Sequence, residues 1–598
     1  MLLFFPVLWL LFSQSLQEKY IVNNEKCKIP DLEIFNEDVA NITHPKPYRP
    51  CNQTELLSYV TKNGPNFELH IREDLIPQYT TQNMTCCYSY VTRNGSIDLP
   101  DVGISISPCV PFYKKVVLGQ NIVKVVCNDS KLVVYQNVHV TIQPQKPLKN
   151  DSNPFSVLLV VVDSISRLNF HRTMPQTSNF LTERHFIEMK AYSKVDDNTF
   201  PNCMALLTGF NLKQAYKHCN PSKINALDVC PMLWYDFHEN GYTTAYAEDD
   251  TPIGTFNYLK KGFTHPPTDF YFKPYMEASE ALGIQYVDHM PFCTGLESAG
   301  ERILNVARDF ATTFKHNPSF GIFWMNTFSH NEFNAPYSMD AKLKGFFRDL
   351  DEAGVLDESF VILLSDHGIR FGPVMETHSG WLEERMPINM ISVPKKFKRE
   401  FGREYKNLKQ NSEKLTNTYD MFMTLQHILA LKGVQYKVRQ SEGCPNCGSL
   451  FDPIPERSCE EASIPYQFCP CFGRFKTLNL SQVQTGRAKS LNSPEVQTGR
   501  VKSVNSSEVQ NAVEYIIFRA KKEVLQRCGN DTFNFQLGSV SVSEPDHEKN
   551  QLLFMVFFIE NTTGLATVKF RDVVTEKSLF NFRFFNLYSV CDVKFALD

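Results

Sequence analysis

Three short segments carry the residues best suited to chemistry. Val157–Val162 is an unbroken β-branched and leucine run, and it ends on the carboxylate Asp163. Phe360-Val-Ile-Leu-Leu-Ser repeats the pattern and ends on Asp366-His367-Gly368. A short, uninterrupted apolar run fits a strand of a parallel sheet covered on both faces. Ligands of open α/β sheets sit just beyond such carboxyl ends. Two strands that deliver carboxylates and an imidazole to one edge point to a bound metal. The third segment is Asn198-Thr199-Phe200-Pro201-Asn202, followed by Leu206-Leu-Thr-Gly209. Pro201 is suited to the first turn of a helix, where its missing N–H costs nothing. Thr199 then stands at a helix N-terminus, where free amides and the dipole favour an oxyanion or a phosphoryl group. An ordinary N-capping Thr is the other reading of this segment.

Strands and helices alternate from Phe155 to about Lys437, as an α/β fold requires. Strands are expected at Val157–Val162, Thr243–Ala247, Phe320–Met325, Val361–Ser365 and Ile388–Val393. Glu301–Phe314 is an amphipathic helix with Ile303, Val306, Ala307, Phe310 and Phe314 on one stripe. Met339–Ala353 is a second, stopped by Gly354, and Asn417–Leu431 a third, opened by an Asn cap.

The flanks differ in texture. The chain has 598 residues, too many for one core, and its net charge of −4 with no long basic run argues against a nucleic-acid polymer as partner. Residues 1–17 read as a signal peptide, too short to span a bilayer, and no second hydrophobic span follows. Seventeen cysteines and ten Asn-X-Ser/Thr sequons agree with a secreted protein, or one of the ER or Golgi lumen, that carries N-glycans. Six sequons precede residue 151, four follow residue 478, and none lies between, so a compact body with decorated flanks is expected.

Residues 20–150 read as a disulfide-stapled β domain with strands at Ile122–Cys127, Lys131–Tyr135 and Val138–Ile142, ending in the linker Gln143–Pro154. Residues 440–598 read as a Cys-rich β domain. Its Cys444-Pro-Asn-Cys447 and Cys469-Pro-Cys471 fit disulfides better than zinc in a secreted chain. Within it, residues 483–508 hold two copies of a polar 13-residue repeat beginning Val-Gln-Thr-Gly-Arg, read as a duplicated surface loop.

The segments from Phe155 to Lys437 together resemble the alkaline-phosphatase superfamily of phosphodiesterases, phosphoglycerol and phosphoethanolamine transferases, and sulfatases. Thr-Phe-Pro-Asn with Leu-Leu-Thr-Gly is similar to the nucleophile motif of its phosphodiesterase branch, and Ser-Asp-His-Gly to its metal motif. Asp163-Ser-Ile-Ser-Arg and Glu383-Glu-Arg-Met-Pro387 resemble a secreted nematode and insect branch of unknown function. The resemblance implies an alkaline-phosphatase-like, mostly parallel sheet sandwiched by helices. It also implies two divalent metal ions, zinc by preference. The first would be held by Asp163, Asp366 and His367, the second by His330, His378 and a further carboxylate. Thr199 would attack phosphorus in an anionic ester, with Asn202 and Arg370 as candidate substrate contacts. Arg172 is a candidate for either substrate or a salt bridge.

One position departs from the pattern. Asn326 stands where the phosphodiesterase branch has a metal-binding Asp, four residues before His330; Asp340, Glu248, Asp249 and Asp250 are possible substitutes. The expected activity is therefore a metal-dependent phosphoric-ester hydrolase or phosphotransferase. The alternatives are a binding protein of the same fold, weakened or inactive, and a sulfuric-ester hydrolase. The last is disfavoured because Thr199 is not a residue convertible to formylglycine.

Overall fold

The computed structural model describes residues 19–130, 132–144, 155–431 and 436–477, and the backbone of 533–543, 553–561, 567–574 and 583–584. The expected signal peptide, most of the linker and the 483–508 repeat lie outside the described residues.

A seven-stranded sheet forms the body. Its strands are β1 (Ser156–Val162), β2 (Ile187–Glu188), β3 (Thr243–Glu248), β4 (Phe270–Tyr271), β5 (Ser319–Met325), β6 (Ser359–Leu364) and β7 (Asn389–Ser392). Their order across the sheet is β2-β7-β6-β1-β5-β3-β4. The five strands β6, β1, β5, β3 and β4 run parallel, while β7 and β2 close one edge in antiparallel pairing. All seven residues of β1 are buried, and their side chains alternate between two cores. Val157, Leu159 and Val161 face Phe200, Met204 and Leu207. Leu158, Val160 and Val162 face Ile303, Val306, Phe310 and Phe347 on the other side. The apolar run is continuous because both faces are covered.

The covering helices include α1 (Thr199–Thr208) on one face, and α2 (Ala299–Thr313) and α3 (Asp340–Glu352) on the other. Two more bear on the site from the carboxyl side, α4 (His378–Arg385) and α5 (Thr418–Ala430). Asn417 caps α5 in a reciprocal box with Asp420, and Gly354 follows α3 with φ of 75°. The expected strands and helices appear with shifted ends. The edge strands β2 and β4, two residues each, were not expected.

Residues 20–144 form small antiparallel sheets bridged internally by Cys86–Cys127 and Cys87–Cys109. The two strands expected at Lys131–Tyr135 and Val138–Ile142 are one strand, Val133–Val140. Two further disulfides tie this region elsewhere, Cys51–Cys293 to the body and Cys27–Cys471 to the Cys-rich segment. The CxxC pair bonds to itself as Cys444–Cys447, and Cys459 bonds Cys469. The sulfur atoms of Cys459, Cys469 and Cys471 lie within 4.8 Å of one another, but all three are in disulfides and leave no thiolate for zinc.

Arg302 on α2 clamps the amino-terminal region to the body. Its side chain is fully buried, pairs with Glu297 at 3.1 Å, and donates to Val138 O, Asn137 Oδ1, Thr294 O, Thr294 Oγ1 and Tyr275 OH. Arg302→Met removes these bonds and leaves Glu297 without its cationic partner, and should cost about 3–5 kcal/mol. The expected readout is an earlier thermal transition with faster proteolysis between residues 130 and 160; an unchanged transition would refute the clamp.

Candidate metal centre and nucleophile

The parallel pairing of β1 with β5 and β6 sets Val162 beside Met325 and Val161 beside Leu364. The residues just beyond these strands therefore share one edge. Asp163, Asp366 and His367 are all buried, and each offers a ligand atom within 4.8 Å of the others.

Local turns fix the three groups. Ser164 adopts φ of 56°, which a non-glycine residue seldom takes. That turn lets its N–H donate to Asp366 Oδ1 at 3.2 Å and its hydroxyl to Asp163 Oδ1 at 2.6 Å. Gly368 lies so close to α4 that an added Cβ would stand 2.1 Å from Glu383 O. The Gly of Asp-His-Gly is thus required by contact, and its N–H donates to Glu384 O at 3.0 Å.

His367 Nδ1 lies 2.8 Å from Gly368 O, which makes Nδ1 the protonated nitrogen and leaves the Nε2 lone pair free. That Nε2 stands 3.1 Å from Asp366 Oδ2, and neither atom has a hydrogen-bond partner. Burial drives the imidazole pKa well below its usual value, aided by Arg370 and Lys194. Burial, then the charge of Asp163, pushes the Asp366 carboxyl up to about 7. Two carboxylates, a neutral imidazole and two orphaned, buried ligand atoms are the donor set a divalent cation completes. The residues fit such an ion.

Thr199 is the first residue of α1, as the position of Pro201 predicts, and its Oγ1 donates to Asp163 Oδ2 at 3.1 Å. No side chain caps this helix, so its first amides stay available to an anion. The same Asp163 oxygen accepts Trp324 Nε1–H at 3.2 Å. Sequence reasoning missed Trp324. It pairs with Val161 in the β5–β1 register and so shares a sheet face with Asp163, a relation visible only once the register is known.

The Glu383-Glu384-Arg385 segment backs the site from α4. Glu383 accepts both Arg172 guanidinium nitrogens, at 2.8 and 3.2 Å, and the Ser166 hydroxyl at 2.6 Å. Arg172 is fully enclosed and holds structure rather than substrate. Lys194 Nζ donates to Glu384 Oε1 at 3.0 Å, also without exposure.

The other candidates are placed differently. Asn202 accepts Val195 N–H and Asp196 N–H and donates to Asp196 O and Asn198 O. Its amide thereby shapes the loop before Thr199. Arg370 remains at the site, with Nη1 3.7 Å from Asp197 Oδ2 and its guanidinium 5.3 Å from the Phe371 ring.

The groups expected for a second metal are not assembled. His378 opens α4 with its ring stacked 4.8 Å from Phe475. His330 Nδ1 lies 2.7 Å from Asn331 Oδ1. Among the described residues neither histidine joins a cluster able to hold an ion. Asp249 receives Asn326 N–H at 2.6 Å and Thr327 hydroxyl at 2.6 Å. Asp340 accepts the backbone of Gln176 and Thr177 at the start of a neighbouring helix. Glu248 accepts Thr255 N–H and the Tyr246 hydroxyl, and burial pushes it up to about 8. Burial also raises Asp249 to about 6 and Asp250 to about 7. These substitutes serve the fold.

No curated protein matches the chain. Among solved structures it is similar to the lipoteichoic acid synthase LtaP from Listeria monocytogenes, at 13% identity and a TM-score of 0.34, covering 52% of this chain and 79% of that one. It is also similar to an alkaline phosphatase superfamily protein from Vibrio parahaemolyticus, at 15% identity and 0.32, covering 53% and 76%. A third is the periplasmic domain of the phosphoethanolamine transferase EptC from Campylobacter jejuni, at 12% and 0.30, covering 47% and 92%. Residues 44–498 match the family described as protein of unknown function (DUF229), and the chain belongs to that family.

Proposed function

We propose that this chain is a secreted or lumenal metal-dependent phosphoric-ester hydrolase or phosphotransferase with Thr199 as nucleophile. The observation that carries the reading is one shared oxygen. Asp163 Oδ2 accepts the Thr199 hydroxyl at 3.1 Å, beside the partnerless Asp366 Oδ2 and His367 Nε2. Seven disulfides among the described residues support an oxidising compartment. Asn41, Asn83 and Asn94, three of the sequon residues, are exposed and reachable for N-glycans.

Asp163, Asp366 and His367 would hold a divalent ion, zinc by preference, which would supply Lewis acidity beside the Thr199 hydroxyl. The described residues bring together one such donor set, and His378 stacks on Phe475. Asp163 Oδ2 is aligned to take the proton as Thr199 Oγ1 attacks phosphorus and the leaving alcohol departs. The threonine phosphoester is then resolved by water in a hydrolase, or by an acceptor alcohol in a transferase, and the hydroxyl regains its proton. The uncapped amides of α1 and the Arg370 guanidinium favour the anionic ester. Trp324 keeps the Asp163 carboxylate turned toward Thr199.

Metal content and turnover of bis-aryl phosphate, mono-aryl phosphate and aryl sulfate test the reading together. About one ion per chain and turnover of a phosphate ester are expected, and Thr199→Ala should retain the ion while losing at least about a thousandfold in rate. Fewer than one ion per chain with no turnover of any ester would sink it.

Asp366→Asn and His367→Ala should each weaken metal binding about 10–100-fold or more. Added metal should partly restore rate for either variant; full activity after exhaustive chelation would contradict the assignment.

Trp324→Phe should keep the ion and KM but lower kcat about tenfold, the usual scale for removing a partner of a ligating group. A KM change at constant kcat would place Trp324 in substrate binding instead.

A further inference from the structure

We propose that Lys260 is a substrate-recognition residue that binds a second anionic group, one carried beside the scissile ester. This inference rests on the Thr199 reading and names the class of ester that site prefers.

Lys260 lies against the first turn of α1. Its ammonium stands 4.6 Å above the ring of Phe200, the residue after the nucleophile. The one hydrogen bond it makes among the described residues is to the neighbouring Tyr258 O, at 2.8 Å. No carboxylate of the described residues forms an ion pair with it, although its side chain is half-buried. Burial pulls the Lys260 pKa down to about 8, against the raising charge of Glu248. Both Glu248 oxygens are already engaged, by Thr255 N–H and the Tyr246 hydroxyl. Among the described residues the protein thus holds an ammonium against the residue after its proposed nucleophile without a paired carboxylate.

The segment that carries the lysine is held in an unfavourable backbone. Leu259 has φ of 53° and is 70% exposed, so no packing of its own side chain explains that conformation. Such strain is retained where a neighbour must be aimed; here the neighbour is Lys260. Phe200 itself is enclosed, with Tyr216 and Phe256 each 6.2 Å away edge-on. With Lys260 over its face, Phe200 offers little surface to a stacking base or sugar. Charge, rather than ring stacking, is what this side of the nucleophile presents. An ammonium near the uncapped start of α1 fits a substrate with a second phosphate, sulfate or carboxylate adjacent to the reacting phosphorus.

Two 4-nitrophenyl diesters separate the contributions, one with a methyl and one with a carboxymethyl group as the second substituent. The wild-type protein should turn over the carboxymethyl diester with kcat/KM at least about tenfold higher, a difference of ~1.4 kcal/mol. Lys260→Met, which keeps the apolar stem over Phe200, should erase that preference and leave the methyl diester within about twofold. Lys260→Arg should retain most of it. Equal loss on both diesters, or a preference that survives Lys260→Met, would overturn the proposal.

Binding of inorganic pyrophosphate by calorimetry reads the same residue without turnover. The wild-type protein and Thr199→Ala should bind it, and Lys260→Met at least about tenfold more weakly. Equal affinity in Lys260→Met would likewise overturn the proposal. If no diester is turned over but pyrophosphate binding still depends on Lys260, the hydrolase reading fails while the anion site stands.

Discussion

The structure depends on one electrostatic constraint. Two carboxylates and an imidazole are buried together at the carboxyl edge of the sheet, with Asp366 Oδ2 and His367 Nε2 left without hydrogen bonds 3.1 Å apart. Leaving such groups orphaned in a low-dielectric setting is costly. The chain accepts that cost at the tips of two fully buried central strands, where the positions of Asp163 and Asp366 follow from backbone pairing. A cation turns the same arrangement from a liability into an attraction.

Much of the surrounding detail holds this constellation in place. Arg172 and Lys194 pair with Glu383 and Glu384 in the interior, fixing α4 against the loop that contains Gly368. Asn202 ties the turn before Thr199 to four backbone groups. Buried ion pairs add little net stability against an apolar alternative. Here their evident effect is positional, since each grips a backbone segment that carries a site residue. The disulfides act at longer range, and Cys27–Cys471 joins segments 444 residues apart in sequence.

The region around the expected second metal shows how the same residue types settle into different work. Asp249, Asp340 and Glu248 have the chemistry of ligands, yet backbone amides, hydroxyls and the Asn326 amide occupy their oxygens. His378, expected as a metal ligand, opens α4 and packs on Phe475. With Asn326 just past the end of β5, the described residues gather one candidate donor set, while the neighbouring acids are hydrogen-bonded within the fold. Near Thr199 stand two basic side chains as well, Arg370 beside Asp197 and Lys260 over the Phe200 ring.

The sequence by itself determined the elements and the first site. Unbroken apolar runs could be satisfied only by strands covered on both faces, which put Asp163, Asp366 and His367 at strand ends. Pro201 and Asn417 marked helix starts through local backbone chemistry that needs no distant partner. Tertiary structure decided what depends on register and packing. It turned β7 antiparallel, placed Trp324 beneath Asp163, merged two expected strands into Val133–Val140, set the Asn202 amide on backbone groups and stacked His378 on Phe475. Periodicity and capping are written in neighbouring residues. Which side chains meet across the fold is set by strand pairing and by competition for each buried oxygen, and no single segment carries that information.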